Sequence, residues 1–222
     1  EPNHITTLGF DADIFSPNTQ LPNGATTAVV RVSSSGETID LGVVTLATNI
    51  FVPNIKDTFT KNVTDVNGGL VLPGDVLEYS ISFSNTGNDP ATRTVVTDAI
   101  PPNTTYVPNS IVYASTSTGL PTGARTDAVG DDIAEFDAVG NRIVARVGRT
   151  ATVSVGGQMN PGDNQTVRYR VTVNAATPGD TVIDNFATVT FRSLTVGTDA
   201  SDVSDANLAL PGDQPASVVV AS

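Results

Sequence analysis

The sequence predicts an all-β protein: an immunoglobulin-like β-sandwich with additional N-terminal strands. Three observations predict it. Short runs of alternating apolar and polar residues recur along the 222 residues, and no stretch carries a convincing helical period. Turn signals separate the runs, at Asn23-Gly24, Asn67-Gly68-Gly69, Pro73-Gly74, Thr86-Gly87-Asn88, Pro161-Gly162-Asp163 and Pro178-Gly179-Asp180. Thr, Val, Asn, Asp, Gly and Ser dominate the composition, while charged residues make up 15%. β-Branched side chains fill pleated surfaces, and Gly, Asn and Asp supply turns.

Taken in order, strands are expected at 27–33, 38–48, 57–65, 75–85, 91–98, 110–115, 142–147, 165–174 and 181–192. The break at Val52-Pro53-Asn54 reads as a domain boundary. Residues 56–195 then hold the seven or more strands of an immunoglobulin-type sandwich. Residues 1–55 hold too few strands for a sandwich of their own. They read as the end of a preceding module, extra strands, or a segment that pairs with another subunit. Residues 196–222 read as an acidic linker whose apolar run 216–221 forms one more strand.

Charge and composition exclude several classes. The net charge is −12, and only Lys56 and Lys61 are lysines. Phosphate neutralisation needs a basic patch, so nucleic acid is not an expected partner, and anionic lipid would be repelled. No apolar run approaches a membrane span. Cysteine is absent, so disulfides contribute nothing. The chain begins Glu1-Pro2 with no visible signal peptide and reads as part of something longer. His4 is the only histidine, which argues against His-cluster metal sites and a Ser-His-Asp triad. No Gly-rich phosphate loop opens a helix, and there is no Trp for sugar stacking. Turnover of a substrate is therefore not expected. Tyr79, Tyr106, Tyr113 and Tyr169 read as core and corner residues.

The stretch PGDVLEYSISFSNTGNDPATRTVVTDAIPPNTTYVPNSI (73–111) carries an ordered set of motifs: Pro-Gly-Asp, a Tyr-bearing strand, Asn-Thr-Gly, then Thr-Asp before an Ile-Pro turn. PGDNQTVRYRVTVNA (161–175) and DNFATVTF (184–191) follow it. Together they resemble the bacterial surface repeat catalogued as domain of unknown function eleven, over roughly residues 56–192. The resemblance implies a repeat in a large secreted or wall-attached protein. It also implies likeness to isopeptide-forming fimbrial and adhesin domains, with a Lys in the first strand, an acid in the middle and an Asn in the last.

Lys61, Asp98 and Asn185 fit that pattern. Strand alternation tests it independently, because alternate residues share a face. Lys61 shares its face with Phe59 and Val63, Asp98 with Val96 and Ile100, and Asn185 with Ile183, Ala187, Val189 and Phe191. Three polar groups thus point inward from three strands, where unpaired polar groups are costly. Reaction offers one explanation. A desolvated Lys61 amine becomes a neutral nucleophile, and a protonated Asp98 polarises the Asn185 amide, so that the amine displaces ammonia. A buried Lys61–Asp98 ion pair capped by Asn185 is the alternative. A register slip that leaves Lys61 in solvent is another. Lys56 competes for the lysine role, but its same-face neighbours Asn54 and Thr58 are polar.

Asp127, Asp131, Asp132, Glu135 and Asp137 form an acidic cluster, and Asp199, Asp202 and Asp205 recur every third residue. Carboxylates suit calcium, the one cofactor that the sequence suggests, although neither set completes an EF-hand loop and a solvated acidic loop explains both. The tripeptides at Asn62, Asn103 and Asn164 match the N-glycosylation pattern by chance in an Asn/Thr-rich chain. The sequence is thus read as an extracellular stalk or fibre module, with neighbouring repeats or like subunits as partners. The alternatives are an adhesin, a calcium-dependent binding module, or a filament subunit assembled by strand addition.

Overall fold

The computed structural model describes residues 50–222 without interruption, together with Ala25 and residues 27–33, 35–36 and 42–45. The chain divides into two units, Glu1–Ala47 and Thr48–Ser222. In the first unit the described residues contain no strand, and Val29, Val30 and Val32 are exposed. The strand expected at 27–33 is therefore corrected: alternation alone does not make a strand, and among the described residues none is its ladder partner. Most of the strand expected at 38–48 lies outside the described residues, and 42–45 are not in a strand.

The second unit is all-β. Its strands are β1 (Thr60–Asp65), β2 (Val76–Ser84), β3 (Ala91–Ala99), β4 (Thr104–Tyr106), β5 (Val112–Ala114), β6 (Gly123–Ala124), β7 (Ala134–Asp137), β8 (Arg142–Arg146), β9 (Gly157–Met159), β10 (Asn164–Val173), β11 (Val182–Asn185), β12 (Ala187–Ser193), β13 (Asp199–Val203) and β14 (Ala216–Val219). One antiparallel sheet runs β1-β2-β10-β5-β6, with β4 also paired to β10. The other runs β13-β12-β3-β8-β7, with β9 also paired to β3. The expected immunoglobulin-like sandwich is the observed fold.

Period-two alternation sets the core. Leu77, Tyr79, Ile81 and Phe83 of β2 are buried, as are Val167, Tyr169, Val171 and Val173 of β10. From the other sheet come Val96 of β3, Ile143 and Ala145 of β8, and Ala187, Val189 and Phe191 of β12. The intervening residues face outward.

Two motifs acquire physical roles. Asn85, fully buried, accepts the backbone N–H groups of Asn54 and Gly87 and donates to the carbonyls of Asp89 and Met159. The side chain thereby fastens the entering segment to the β2–β3 turn. Gly87 lies so close to the Val52 carbonyl and the Asn54 backbone that a Cβ has no room. The Pro-Gly-Asp turns place Gly74 and Gly162 at φ 96° and 85°, where only glycine is unstrained.

The C-terminal stretch read as a linker is part of this sheet system. β13 pairs with β12 and β14 with β11, and Ala216 and Val220 are buried. Asp199 and Ser201 of β13 and Ser217 of β14 face solvent, whereas Ser204 and Asp205 are buried, and β14 is the strand expected from the apolar run 216–221. The single strand expected at 181–192 breaks at Phe186: β11 pairs with β14, whereas β12 pairs with β3 and β13.

Candidate functional site

Lys61 lies on edge strand β1 opposite Ile81 of β2. Tyr79 is one step along the same face of β2 and is itself opposite Tyr169 of β10. The facing sheet contributes Asp98 from β3, in register with Ala187 of β12 and Ile143 of β8. Asn185 ends β11, immediately before the break at Phe186. Lys61, Tyr79 and Tyr169 are 0% exposed, Asp98 1% and Asn185 5%. The inward register expected for all three polar residues is the observed one, so Lys61 is not solvated.

The contacts form a chain. Lys61 Nζ donates to Asp98 Oδ2 at 2.5 Å. The Tyr169 hydroxyl donates to the same oxygen at 2.7 Å, and Asn185 Nδ2 donates to the Tyr169 hydroxyl at 2.9 Å. Nζ also lies 4.6 Å from the Tyr79 ring centre and 5.9 Å from that of Tyr169. The two rings stack, with centres 5.4 Å apart. Asp98 Oδ1 and the Tyr79 hydroxyl are buried without a hydrogen-bond partner.

Electrostatics push this cluster toward neutrality. Burial lowers the Lys61 amine to about 8, although the Asp98 charge and hydrogen bond oppose it. Burial raises the Asp98 carboxyl, against the pulls of Lys61 and Tyr169. Burial and the adjacent Asp98 carboxylate keep the Tyr169 phenol protonated. A neutral amine beside a carboxylic acid and a primary amide is a set from which an acyl transfer is drawn.

The structure brings the side chains of Lys61, Asp98 and Asn185 together, with the Asn185 amide in reach of the Asp98 carboxyl. The Tyr169 hydroxyl, which the sequence reading did not include, joins the two as well, donating to Asp98 and accepting from Asn185 Nδ2. Tyr169 had been read as core, and core it is; its alternation with Val167 and Val171 was the signal that it faced the same interior. Lys56 sits at the surface, paired with Asp213 and bonded to the Val203 carbonyl, away from the buried cluster.

The carboxylates considered for calcium are engaged by local donors. Asp127 accepts from the Tyr106 hydroxyl at 2.6 Å and the Asn109 N–H at 2.7 Å. Asp131 accepts from the Thr126 hydroxyl, and Asp132 from the Thr126 and Ala134 N–H groups. Glu135 pairs with Arg146, Asp137 with Arg142 and Asp199 with Arg192. Burial raises the Asp202 carboxyl, and Asp205 caps the Asn207 and Gln214 N–H groups. Among the described residues no group of three or more His, Cys, Asp or Glu is placed to hold a metal ion. None of their helices is long and apolar enough to cross a membrane.

No family model and no curated protein matches the chain. Among solved structures it is similar to the major pilin subunit BcpA of Bacillus cereus, at 15% identity over 76% of this chain and 40% of that one, with a TM-score of 0.49. It is similar to the full-length major pilin SpaD of Corynebacterium diphtheriae, at 13% identity over 66% and 33% respectively, with a TM-score of 0.46. A third is the collagen-binding domain of the surface protein RspB of Erysipelothrix rhusiopathiae, at 14% identity over 73% and 46%, with a TM-score of 0.45. The chain thus spans less than half the length of each.

Proposed function

We propose that this chain is a structural stalk or fibre module of a bacterial surface protein, clamped by an intramolecular Lys61–Asn185 isopeptide bond that Asp98 promotes. The observation that carries the reading is the buried Lys61–Asp98 contact, tied through Tyr169 to the Asn185 amide. The surface setting rests on the ordered motifs of residues 73–111, 161–175 and 184–191.

The reaction balances without a cofactor. The neutral Lys61 amine attacks Cγ of Asn185, and the new C–N bond forms as the amide carbonyl takes up charge. Asp98, which starts as the acid, gives its proton toward the departing nitrogen and takes one from the attacking nitrogen in its place. One proton reaches the departing nitrogen, which leaves as ammonia, and the C–Nδ2 bond breaks. A lysine amine and an asparagine amide become one secondary amide plus ammonia. The product carries no charge, so the cost of burying an ionised pair disappears.

The topology gives the bond a mechanical meaning. It would join β1 to β11, closing a loop of roughly 125 residues, and a force that peels β1 from β2 would load a covalent bond. By analogy with a disulfide, closing such a loop stabilises by about 4–5 kcal/mol. Partners under this reading are neighbouring repeats or like subunits. Proteolysis followed by tandem mass spectrometry tests it. A branched peptide joining the Lys61 and Asn185 segments is expected; the two segments recovered only as separate linear peptides would refute it.

A further inference from the structure

We infer that the Tyr169 hydroxyl orients this cross-linking reaction: it holds the Asn185 amide by its leaving nitrogen and links that nitrogen to the carboxyl that handles the proton. The inference rests on the Lys61–Asn185 reading above. It begins from the position of Tyr169, whose ring is fully buried, stacked on Tyr79 and fixed by the β2–β10 register.

A primary amide is nearly symmetric in shape, and a half-turn about its terminal bond exchanges oxygen and nitrogen. Something must select which end faces which group. The Tyr169 hydroxyl has one hydrogen, and it is committed to Asp98 Oδ2 at 2.7 Å. Toward Asn185 it therefore presents only a lone pair. That selects Nδ2, which donates to it at 2.9 Å, and turns Oδ1 away. The leaving nitrogen is thus identified before the amine attacks.

The same bonds supply a proton route. Attack by Lys61 makes its nitrogen acidic and turns Nδ2 from a planar donor into a basic amine. Lys61 Nζ passes a proton to Asp98 Oδ2, its neighbour at 2.5 Å. As Nδ2 becomes basic, the Tyr169 hydroxyl turns its hydrogen from Asp98 to Nδ2 and gives it up, and the Tyr169 oxygen takes the proton of the Asp98 carboxyl in its place. One proton moves from the attacking nitrogen to the departing one, and Asp98 and Tyr169 end as they began.

The test is Tyr169→Phe, which keeps the stacked ring and deletes the hydroxyl. Unreacted chain is purified in denaturant and refolded by dilution, and loss of ammonia is timed by intact mass. Misplacing an acyl group by about an ångström costs roughly a hundredfold in rate, and a slowing of that order is expected. The titratable groups facing Asp98 are Lys61 from β1, Tyr79 from β2 and Tyr169 from β10. Removing the Tyr169 donor destabilises the carboxylate, so the pH profile of the residual rate moves to higher pH. Loss of packing alone would not move it. A ring-fluorinated tyrosine at position 169 keeps the shape and donates more strongly, so its profile should move to lower pH, even if Tyr169→Phe fails to fold. Reaction by both substituted chains at the wild-type rate with unmoved profiles overturns the role of Tyr169 and leaves the isopeptide reading intact. A wild-type chain that loses no ammonia overturns both.

Discussion

Strand β3 has a buried aspartate near each end, Asp89 just before it and Asp98 within it, each 1% exposed. Their surroundings differ in depth and in donors. Asp89 accepts from the Ser193 hydroxyl at 2.5 Å, the Thr195 hydroxyl at 2.5 Å and the Thr195 N–H at 3.1 Å, so both its oxygens are occupied. Asp98 receives both its donors on Oδ2 and leaves Oδ1 bare. Burial opposes charge at both positions, yet the hydrogen bonds hold Asp89 below the usual carboxylate range, while burial wins at Asp98 and raises it. Equal exclusion from solvent thus accompanies a fixed anionic anchor near the surface at one end and, deep in the core at the other, a carboxyl able to carry a proton. Depth and saturation with donors together separate a structural carboxylate from a reactive one.

That contrast can be broken in several ways. The largest effect is expected at the reactive end. Lys61→Ala or Asn185→Ala should remove about 4–5 kcal/mol of clamp stabilisation. For a chain of this size that lowers Tm by on the order of 10 °C or more, measured by calorimetry. Unchanged melting in both would mean that no clamp exists. At the structural end, Asp89→Ala strips the buried Ser193 hydroxyl of its acceptor and should cost about 1–3 kcal/mol. Mass spectrometry should nevertheless find the cross-link complete. An Asp89→Ala chain that folds but fails to lose ammonia would erase the distinction between the two ends.

The two carboxylates should also titrate in opposite senses. The folded-state pKa of Asp89 is lowered, so its stabilising contribution is present above the unfolded value near 3.8 and is lost as pH falls through the folded one. Asp89→Asn should flatten the acid limb of stability below about pH 4. The Asp98 value is raised, so in the unreacted Asn185→Ala chain it lowers stability as pH climbs above about 4. Urea titrations of Asn185→Ala with and without Asp98→Asn should show that slope only in the first; equal slopes would contradict the assignment. The smallest effect is reserved for Tyr79→Phe. Its hydroxyl makes no well-formed hydrogen bond, and only the Asn185 amide beside it draws on it, so its loss should change stability by less than about 1 kcal/mol and leave the cross-link intact. A large loss would reveal a role that the geometry does not give it.

Much of this was legible in the sequence, for identifiable reasons. Strict alternation around Lys61, Asp98 and Asn185 fixed their inward faces, because a register slip would have turned each strand's apolar set to solvent. The Asn85-Thr86-Gly87 and Pro-Gly-Asp signals marked real turns, since only certain residues satisfy those backbones. Pairing across strands was not legible. That Tyr169 joins Asp98 to Asn185 depends on how two sheets face each other, which no periodicity encodes. The break at Phe186 was hidden because β11 and β12 continue one alternation while pairing with different strands. Residues 196–215 looked like linker because edge strand β13 gains its order from a neighbour rather than from an apolar pattern of its own, whereas the apolar run 216–221 did mark β14.

The most direct test of the account is the intact mass of the purified, folded chain. The account predicts a deficit of one ammonia relative to the sequence mass, abolished in Lys61→Ala and in Asn185→Ala once each substitution is corrected for, and absent in Asp98→Ala although that chain still folds. A wild-type chain carrying its full mass would contradict it, leaving Lys61 and Asp98 as a buried ion pair and nothing more.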